Sequence, residues 1–327
     1  MRSVVTGATG FTGGHLARAL ARHGDDVRAL VRTRDARSDA LEAAGITVYE
    51  GDLLDQDSLA RLTADADIIY NIAASYRQAS ASHDTYYGIN ATAVATLVEV
   101  AAETTVRRVV HCSTVGVHGD VEHPPANEDA PLRPGDEYQR SKVEGERLGR
   151  EAADRFGVDL VIARPSGIYG PGDTRLLKLF RGVARRQFVT LGSGDIFYHL
   201  TYIDDLVEGF RLCGTVPAAA GRTYILAGAE FTSLNELVRL IADGAGVRPP
   251  RLRLPVWPFR AAGAICESVC GPLGIEPPIY RRRVDFFTKS RAFDISRARA
   301  EIGYSPSVSL TDGIRRTLAW YREQGWL

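Results

Sequence analysis

The run Thr6-Gly7-Ala8-Thr9-Gly10-Phe11-Thr12-Gly13 follows the apolar stretch Ser3-Val4-Val5 and leads into Leu16-Ala17-Arg18-Ala19-Leu20, which has helical spacing. A strand that passes through three glycines at three-residue intervals into a helix makes a phosphate-binding turn. Glycine lets the backbone turn tightly and lets a pyrophosphate approach, and the helix N-terminus offers free N–H groups at the positive end of its dipole. A dinucleotide is therefore the first ligand to consider, held at Gly7, Thr9, Gly10, Phe11, Thr12 and Gly13. A glycine triplet alone also suits a bare strand–turn–helix, so the rest of the chain has to decide.

Strand-like and helix-like segments alternate through the first half. With Ser3–Val5 as the first, the strands read as Val27–Val31, Ile46–Tyr49, Asp67–Ile72, Arg108–Cys112 and Val158–Ala163; between the fourth and fifth, Ala91–Ala102 sets Val94, Leu97, Val98 and Ala101 on one helical face. Strands this apolar are buried on both sides, and their alternation with helices predicts an α/β fold with a doubly wound parallel sheet. The regular order stops after Arg164-Pro165. Residues 1–165 are expected to form the dinucleotide-binding domain. Residues 166–327 are expected to form mainly a smaller C-terminal substrate-binding lobe, with some segments returning to the sheet.

The 327 residues carry 40 basic and 40 acidic side chains, with no basic tail or patch to suit nucleic acid. Lysine occurs only at Lys142, Lys178 and Lys289, so single arginines carry little information in this arginine-rich chain. A core strand at the N-terminus leaves no room for a signal peptide, and no run approaches the roughly 20 apolar residues that span a bilayer. Cys112, Cys213, Cys266 and Cys270 lack metal-ligand spacing and are expected to be reduced thiols. A cytoplasmic, metal-free protein is the expectation.

Chemistry concentrates at Tyr138-Gln139-Arg140-Ser141-Lys142. On a helix, Tyr138 and Lys142 lie one turn apart on one face, and an ammonium beside a phenol lowers its pKa. The tyrosine can then exchange a proton with an alcohol at neutral pH. With 13 tyrosines and so few lysines, chance would produce this spacing only about 0.1 times. Thr114 follows the fifth strand at the carboxyl edge of the sheet, where parallel-sheet sites lie. Its hydroxyl can bond a substrate oxygen; it can equally cap the strand end, and Ser113 offers the same chemistry.

With these residues assembled, the chain resembles an extended short-chain dehydrogenase/reductase, the epimerase/dehydratase superfamily. The likeness rests on Thr6–Gly13, Gly51-Asp52-Leu53, Asn71 to Ala74, Asn90 with Leu97, Thr114, Tyr138/Lys142, Arg164-Pro165 with Ile168-Tyr169-Gly170-Pro171, Tyr202-Ile203-Asp204-Asp205, Phe293-Asp294-Ile295-Ser296 and Gly303-Tyr304-Ser305-Pro306. It spans nearly the whole chain. The resemblance implies a Rossmann-type domain for NAD or NADP, with Asp52 and Leu53 near the adenine, Tyr138 as acid/base and Lys142 on the nicotinamide ribose. It makes Thr114 the hydroxyl partner and Asn90 a support for the site. Ala73, Ala74, Ser113, Pro165 and Ile168 complete the expected cofactor contacts.

The end of the second strand reads Val31-Arg32-Thr33-Arg34, where an NAD site usually has an acid. Arg32 can pair with a 2′-phosphate, which favours NADP, while Asp35 keeps NAD open. Val115 and Gly116 stand where the family's sugar-nucleotide dehydratases carry acids. Gly167 and His199 stand where many of its sugar-nucleotide epimerases carry an asparagine and an arginine. Leu252–Ile275 resembles the 3β-hydroxysteroid dehydrogenase and hopanoid-associated branch. It can line an apolar cleft, rest on a membrane surface, or form ordinary core or a dimer contact, with Arg281-Arg282-Arg283 a charge run beyond it. His111, His118 and His199 read as structural. The leading expectation is an oxidoreductase moving hydride between nicotinamide and a secondary alcohol or ketone. The alternative is an NDP-sugar epimerase with tightly bound NAD, and a protein that only binds the dinucleotide is a third reading. The family resemblance further implies a homodimer through helices starting near Asp84 and Tyr138.

Overall fold

The computed structural model describes residues 1–76, 83–270 and 284–327. Glu276-Pro277-Pro278, Arg281-Arg282-Arg283 and the part of the 252–275 segment beyond Cys270 lie outside the described residues, as do the side chains of Ile265, Val269 and Cys270.

The first half alternates as predicted: β1 (Arg2–Thr6), α1 (Phe11–Arg22), β2 (Asp26–Val31), α2 (Ala36–Glu42), β3 (Thr47–Glu50), α3 (Gln56–Thr63) and β4 (Ile68–Asn71). Then α4 (His83–Tyr87) enters a π-helical turn, Gly88–Thr92, before α5 (Ala93–Ala102), β5 (Arg108–Cys112), α6 (Glu137–Phe156) and β6 (Asp159–Pro165). The second half is less regular: β7 (Gly167–Tyr169), α7 (Leu177–Ala184), β8 (Thr190–Leu191), β9 (Phe197–Tyr198), β10 (Leu200–Tyr202), α8 (Ile203–Thr215) and β11 (Thr223–Leu226). It continues through β12 (Thr232–Ser233), α9 (Leu234–Ala245), β13 (Arg253–Leu254), α10 (Trp257–Cys270), α11 (Ser296–Ile302) and α12 (Leu310–Glu323).

Seven strands form one parallel sheet in the order β11-β6-β5-β4-β1-β2-β3. The side-chain period of two divides its residues between two cores. Val5, Tyr70, Val110 and Val161 face one, while Val4, Ile69, Val109 and Ile162 face the other. Strand order reverses at β1, which lies between β2 and β4. The carboxyl ends of β1 and β4 therefore flank the switch point at which open α/β sheets bind ligands.

Most boundaries agree with the sequence reading to one residue, and two differ by two residues. β6 runs on to Pro165 because β11 returns to the sheet and pairs Leu226 with it. The helix read from Ala91 becomes α-helical only at Ala93, since residues 88–92 wind as a π turn. α6 presses on that turn through Gly145, where an added Cβ would stand 2.0 Å from the Asn90 carbonyl oxygen. No flexible side chain is available there to yield. Gly145→Ala should therefore cost about 3 kcal/mol, the upper end of the usual overpacking range. Chemical denaturation measures it, and a loss under about 1 kcal/mol would mean the two helices separate easily.

Candidate active site

A cleft of about 1220 Å³ opens along the carboxyl edge of the sheet. Pockets for one small ligand usually span about 300–1,000 Å³, so this one can hold a dinucleotide with a second molecule. Its wall brings together Gly7, Thr9, Gly10, Phe11, Thr12, Gly13, Arg32, Asp52, Leu53, Ala73, Ala74, Ser113, Thr114, Tyr138, Pro165 and Ile168. Asn90 and Lys142 do not line it; both are buried behind the wall.

The glycine turn is shaped by close backbone approach. Gly7 has a φ of +68°, and a Cβ there would meet the Ala73 backbone at 2.8 Å. A Cβ on Gly13 would lie 2.3 Å from the Gly7 carbonyl oxygen, so the helix can pack this tightly only on glycine. Gly10 is the N-cap of α1 and makes no side-chain cap, and the first turn of α1 holds no acid. The N–H groups there and the dipole remain available to an anion. Thr6 Oγ1 braces the turn, donating to Asn71 Oδ1 at 2.8 Å and accepting the Ala73 N–H at 3.1 Å.

Tyr138 stands in the first turn of α6, which Asp136 caps by accepting the Gln139 N–H at 2.8 Å. Lys142, one turn on, donates from Nζ to the Cys112 carbonyl oxygen at 2.8 Å. Behind them, Asn90 accepts the Ser75 N–H at 2.9 Å. Its Nδ2 donates to the Ser75 carbonyl at 3.0 Å and to Ser141 Oγ at 2.9 Å, and that hydroxyl donates to the Tyr138 carbonyl. Thus the loop after β4 and the start of α6 share one amide.

One electrostatic expectation is corrected. Burial pushes the Tyr138 phenol well above its usual range; the neighbouring Cys112 and Tyr76 add to the rise, and Arg175 opposes it. Burial also lowers the Lys142 ammonium. The lysine is turned onto a backbone carbonyl in a dry setting, so desolvation outweighs any attraction from it at the phenol.

The two hydroxyls after β5 are used differently. Ser113 Oγ turns from the cleft and donates to Glu146 Oε1 at 2.5 Å. Arg164 holds that carboxylate with two bonds of 2.9 and 2.6 Å, all within the protein interior. Thr114 Oγ1 accepts the Gly116 N–H at 3.0 Å, capping the 3₁₀ turn Val115–His118. Its own proton remains free to donate into the cleft, so capping leaves room for a second bond.

Sequence reading missed several wall residues, among them Ser75, Tyr76, Arg37 and Arg175. Tyr76 packs edge-on against Tyr138 with ring centroids 4.8 Å apart. It sits three residues past Ala73, but no spacing rule marks it. Glu146 had a signal: it lies four residues beyond Lys142, on the helix face that carries Tyr138.

A glycine cradle at the switch point, feeding a Tyr/Lys helix and a strand-end hydroxyl, defines a Rossmann-type enzyme that uses a nicotinamide dinucleotide. The chain belongs to the NAD dependent epimerase/dehydratase family, whose pattern matches residues 3–227. It is 28% identical to the 3beta-hydroxysteroid-dehydrogenase/decarboxylase isoform 1 of Arabidopsis thaliana, over 96% of this chain and 78% of that protein. It is also 28% identical to the 2-alkyl-3-oxoalkanoate reductase of Stenotrophomonas maltophilia, over 98% of this chain and 99% of that protein. The crystal structure of gox2253 superposes with a TM-score of 0.84 at 28% identity and covers 99% of both chains. The protein is accordingly an enzyme of the NAD(P)-dependent extended short-chain dehydrogenase type, a class that spans dehydrogenases, reductases and epimerases.

If Tyr138 moves the proton, Tyr138→Phe should lower turnover by at least about 100-fold while nucleotide affinity stays nearly unchanged. Steady-state rates and a fluorescence titration with NADPH read the two quantities. A variant that kept most of its rate would remove Tyr138 from the chemistry.

Proposed function

We propose that this protein is an NADP-dependent reductase or dehydrogenase of apolar ketones and secondary alcohols. The observation that carries this reading is the state of the two positions that would anchor a sugar nucleotide. Buried His199 faces the Gly228 carbonyl with Nε2 at 2.9 Å, and its Nδ1 accepts the Phe293 N–H at 3.2 Å. Gly167 packs so closely on Leu200 that an added Cβ would come within 2.7 Å of Cδ2. Neither can hold a diphosphate. The cleft instead carries an apolar group, Leu179, Leu200, Leu237, Phe286 and Phe293 with Tyr198, beside the charged Asp285, Lys289 and Arg291.

The preference for NADP rests on the end of β2. Arg32 is exposed, lines the cleft and meets no acid among the described residues. Asp35, which kept NAD open, is committed elsewhere: it caps α2 and pairs with Arg37 at 2.5 Å. A cation is thus free and the acid is not, which suits a 2′-phosphate.

Residues 1–165 hold the dinucleotide in this reading, and residues 166–327 mainly shape the substrate wall. The bound nicotinamide supplies or accepts the hydride. Tyr138, held protonated by its burial, gives its proton to the oxygen as a ketone is reduced and recovers it in the reverse direction. Thr114 donates to the same oxygen and stabilises the charge that develops there. Lys142 on the nicotinamide ribose and Asn90 behind Ser75 keep the parts in register. The working unit is a cytoplasmic homodimer joined through the helices beginning near Asp84 and Tyr138. Exposed Leu252, Leu254 and Trp257, the last 73% accessible, form an apolar edge that suits contact with a membrane surface. No helix among the described residues is long and apolar enough to cross one.

Denaturing the purified protein and weighing any released nucleotide tests the cycle. A protein that exchanges NADP each turnover should release far less than one equivalent, whereas near-stoichiometric NAD would move the reading to an internal epimerase cycle. Arg32→Ala should weaken NADP by about 10- to 100-fold and leave NAD little changed. Equal losses for the two cofactors would remove the 2′-phosphate assignment.

A further inference from the structure

Arg175 enters the cleft from the loop between β7 and α7. The loop is built around Asp173, whose side chain is fully buried. Asp173 Oδ1 accepts from Arg175 N at 3.1 Å and from Arg175 Nε at 2.8 Å, and Oδ2 accepts the Leu176 N–H at 3.0 Å. The Tyr321 hydroxyl donates to the Asp173 carbonyl at 2.7 Å, tying the loop to α12. Arg175 Nη2 reaches the Ile168 carbonyl at 3.1 Å, and its guanidinium lies 5.2 Å from the centroid of Phe11. A guanidinium has five N–H donors. Two are used here, so three have no partner among the described residues.

This arginine differs from the other cations of the cleft. Arg37, Arg140 and Lys289 pair with Asp35, Glu137 and Asp285, and Arg291 lies against Tyr198. Arg32 is free, but it belongs to the far end, at β2. Arg175 joins a buried mounting to spare donors within the cleft. Its positive charge is felt at both Tyr138 and Cys112, where it opposes the effect of burial.

We propose that Arg175 is an oxyanion-binding residue, and that the group it takes is a carboxylate close to the substrate's reacting carbon, as in a 3-oxo or 3-hydroxy acid. This rests on the reading of the cleft as an alcohol/ketone site and narrows its substrate class. A planar fork held in place matches a carboxylate with two parallel bonds and little ordering cost. The apolar group of the cleft then takes the remainder of the chain or ring. A phosphate has the same chemistry, and the dinucleotide's own pyrophosphate is the second source of such an anion, since Phe11 belongs to the glycine turn.

The test is a binding measurement that needs no turnover. 3-Hydroxyoctanoate and its methyl ester are titrated by calorimetry into the protein saturated with NADPH, a pairing that cannot react. The wild type should bind the acid at least about tenfold more tightly than the ester, and Arg175→Gln should abolish the difference while NADPH affinity holds. Arg175→Lys keeps the charge that faces Asp173 but loses the fork; it should retain only part of the preference, and it serves if the glutamine variant fails to fold. Equal binding of acid and ester by the wild type, or a preference that survives in both variants, overturns the proposal. A loss confined to NADPH affinity assigns the donors to the pyrophosphate and overturns the carboxylate. Should the wild type bind the acid yet reduce no ketone with NADPH, the dehydrogenase reading fails while the anion site stands.

Discussion

The Asn90 amide is the junction on which the site depends. One side chain, buried in a π turn, satisfies the backbone of the loop after β4 and the hydroxyl that touches the Tyr138 carbonyl. An α-helical register through residues 88–92 would rotate that amide away from one partner or the other. The turn is in turn held by the bare surface of Gly145 on α6. A glycine in the helix that carries Tyr138 therefore governs whether the loop after β4 and the start of α6 meet. π turns recur at functional sites because they re-aim a side chain at the cost of one irregular hydrogen bond.

A second layer of control is electrostatic. Glu146 and Arg164 form an ion pair in the interior, costly to desolvate and strongly disrupted if either partner is lost. The pair captures the Ser113 hydroxyl, and Arg164 reaches the Glu128 carbonyl as well. Glu128 accepts the Ile225 N–H of β11 through its carboxylate. These bonds link β5, α6, β6 and β11 at one level of the sheet. They also settle which of two adjacent hydroxyls faces the cleft: Ser113 is bound inward, and Thr114 is left to point outward.

Much of this was legible from the chain. Apolar strands, the glycine turn and the Tyr/Lys spacing are local patterns, and local patterns reveal which elements form. Six of the seven sheet strands were readable this way. β11 was not, because Thr223–Leu226 is short and its membership depends on pairing with β6, a contact distant in sequence. The chemistry of the site was legible by residue type and less so by environment. The spacing of Tyr138 and Lys142 places them on one face, but it does not show the lysine turned to Cys112 or the phenol desolvated. Arg32 stood out by its place at the end of the second strand, but only the structure shows Asp35 committed to capping α2 and to Arg37. Arg175 carried no signal, since what distinguishes it is a buried aspartate two residues earlier and a tyrosine near the end of the chain.

The return of β11 to the sheet bears on how the enzyme admits its substrate. The chain leaves the sheet after Pro165, contributes to the far wall of the cleft, and rejoins β6 through a four-residue parallel ladder. That ladder, with Glu128 bonded to its outer strand, lies inside the seven-stranded sheet, so the segment between the two strands is fastened to the frame at both ends. A wall built on such a segment is tethered twice, unlike a domain carried on a single linker. Adjustment around a ligand then falls to the rim, where side chains and short loops can yield while the sheet stays intact.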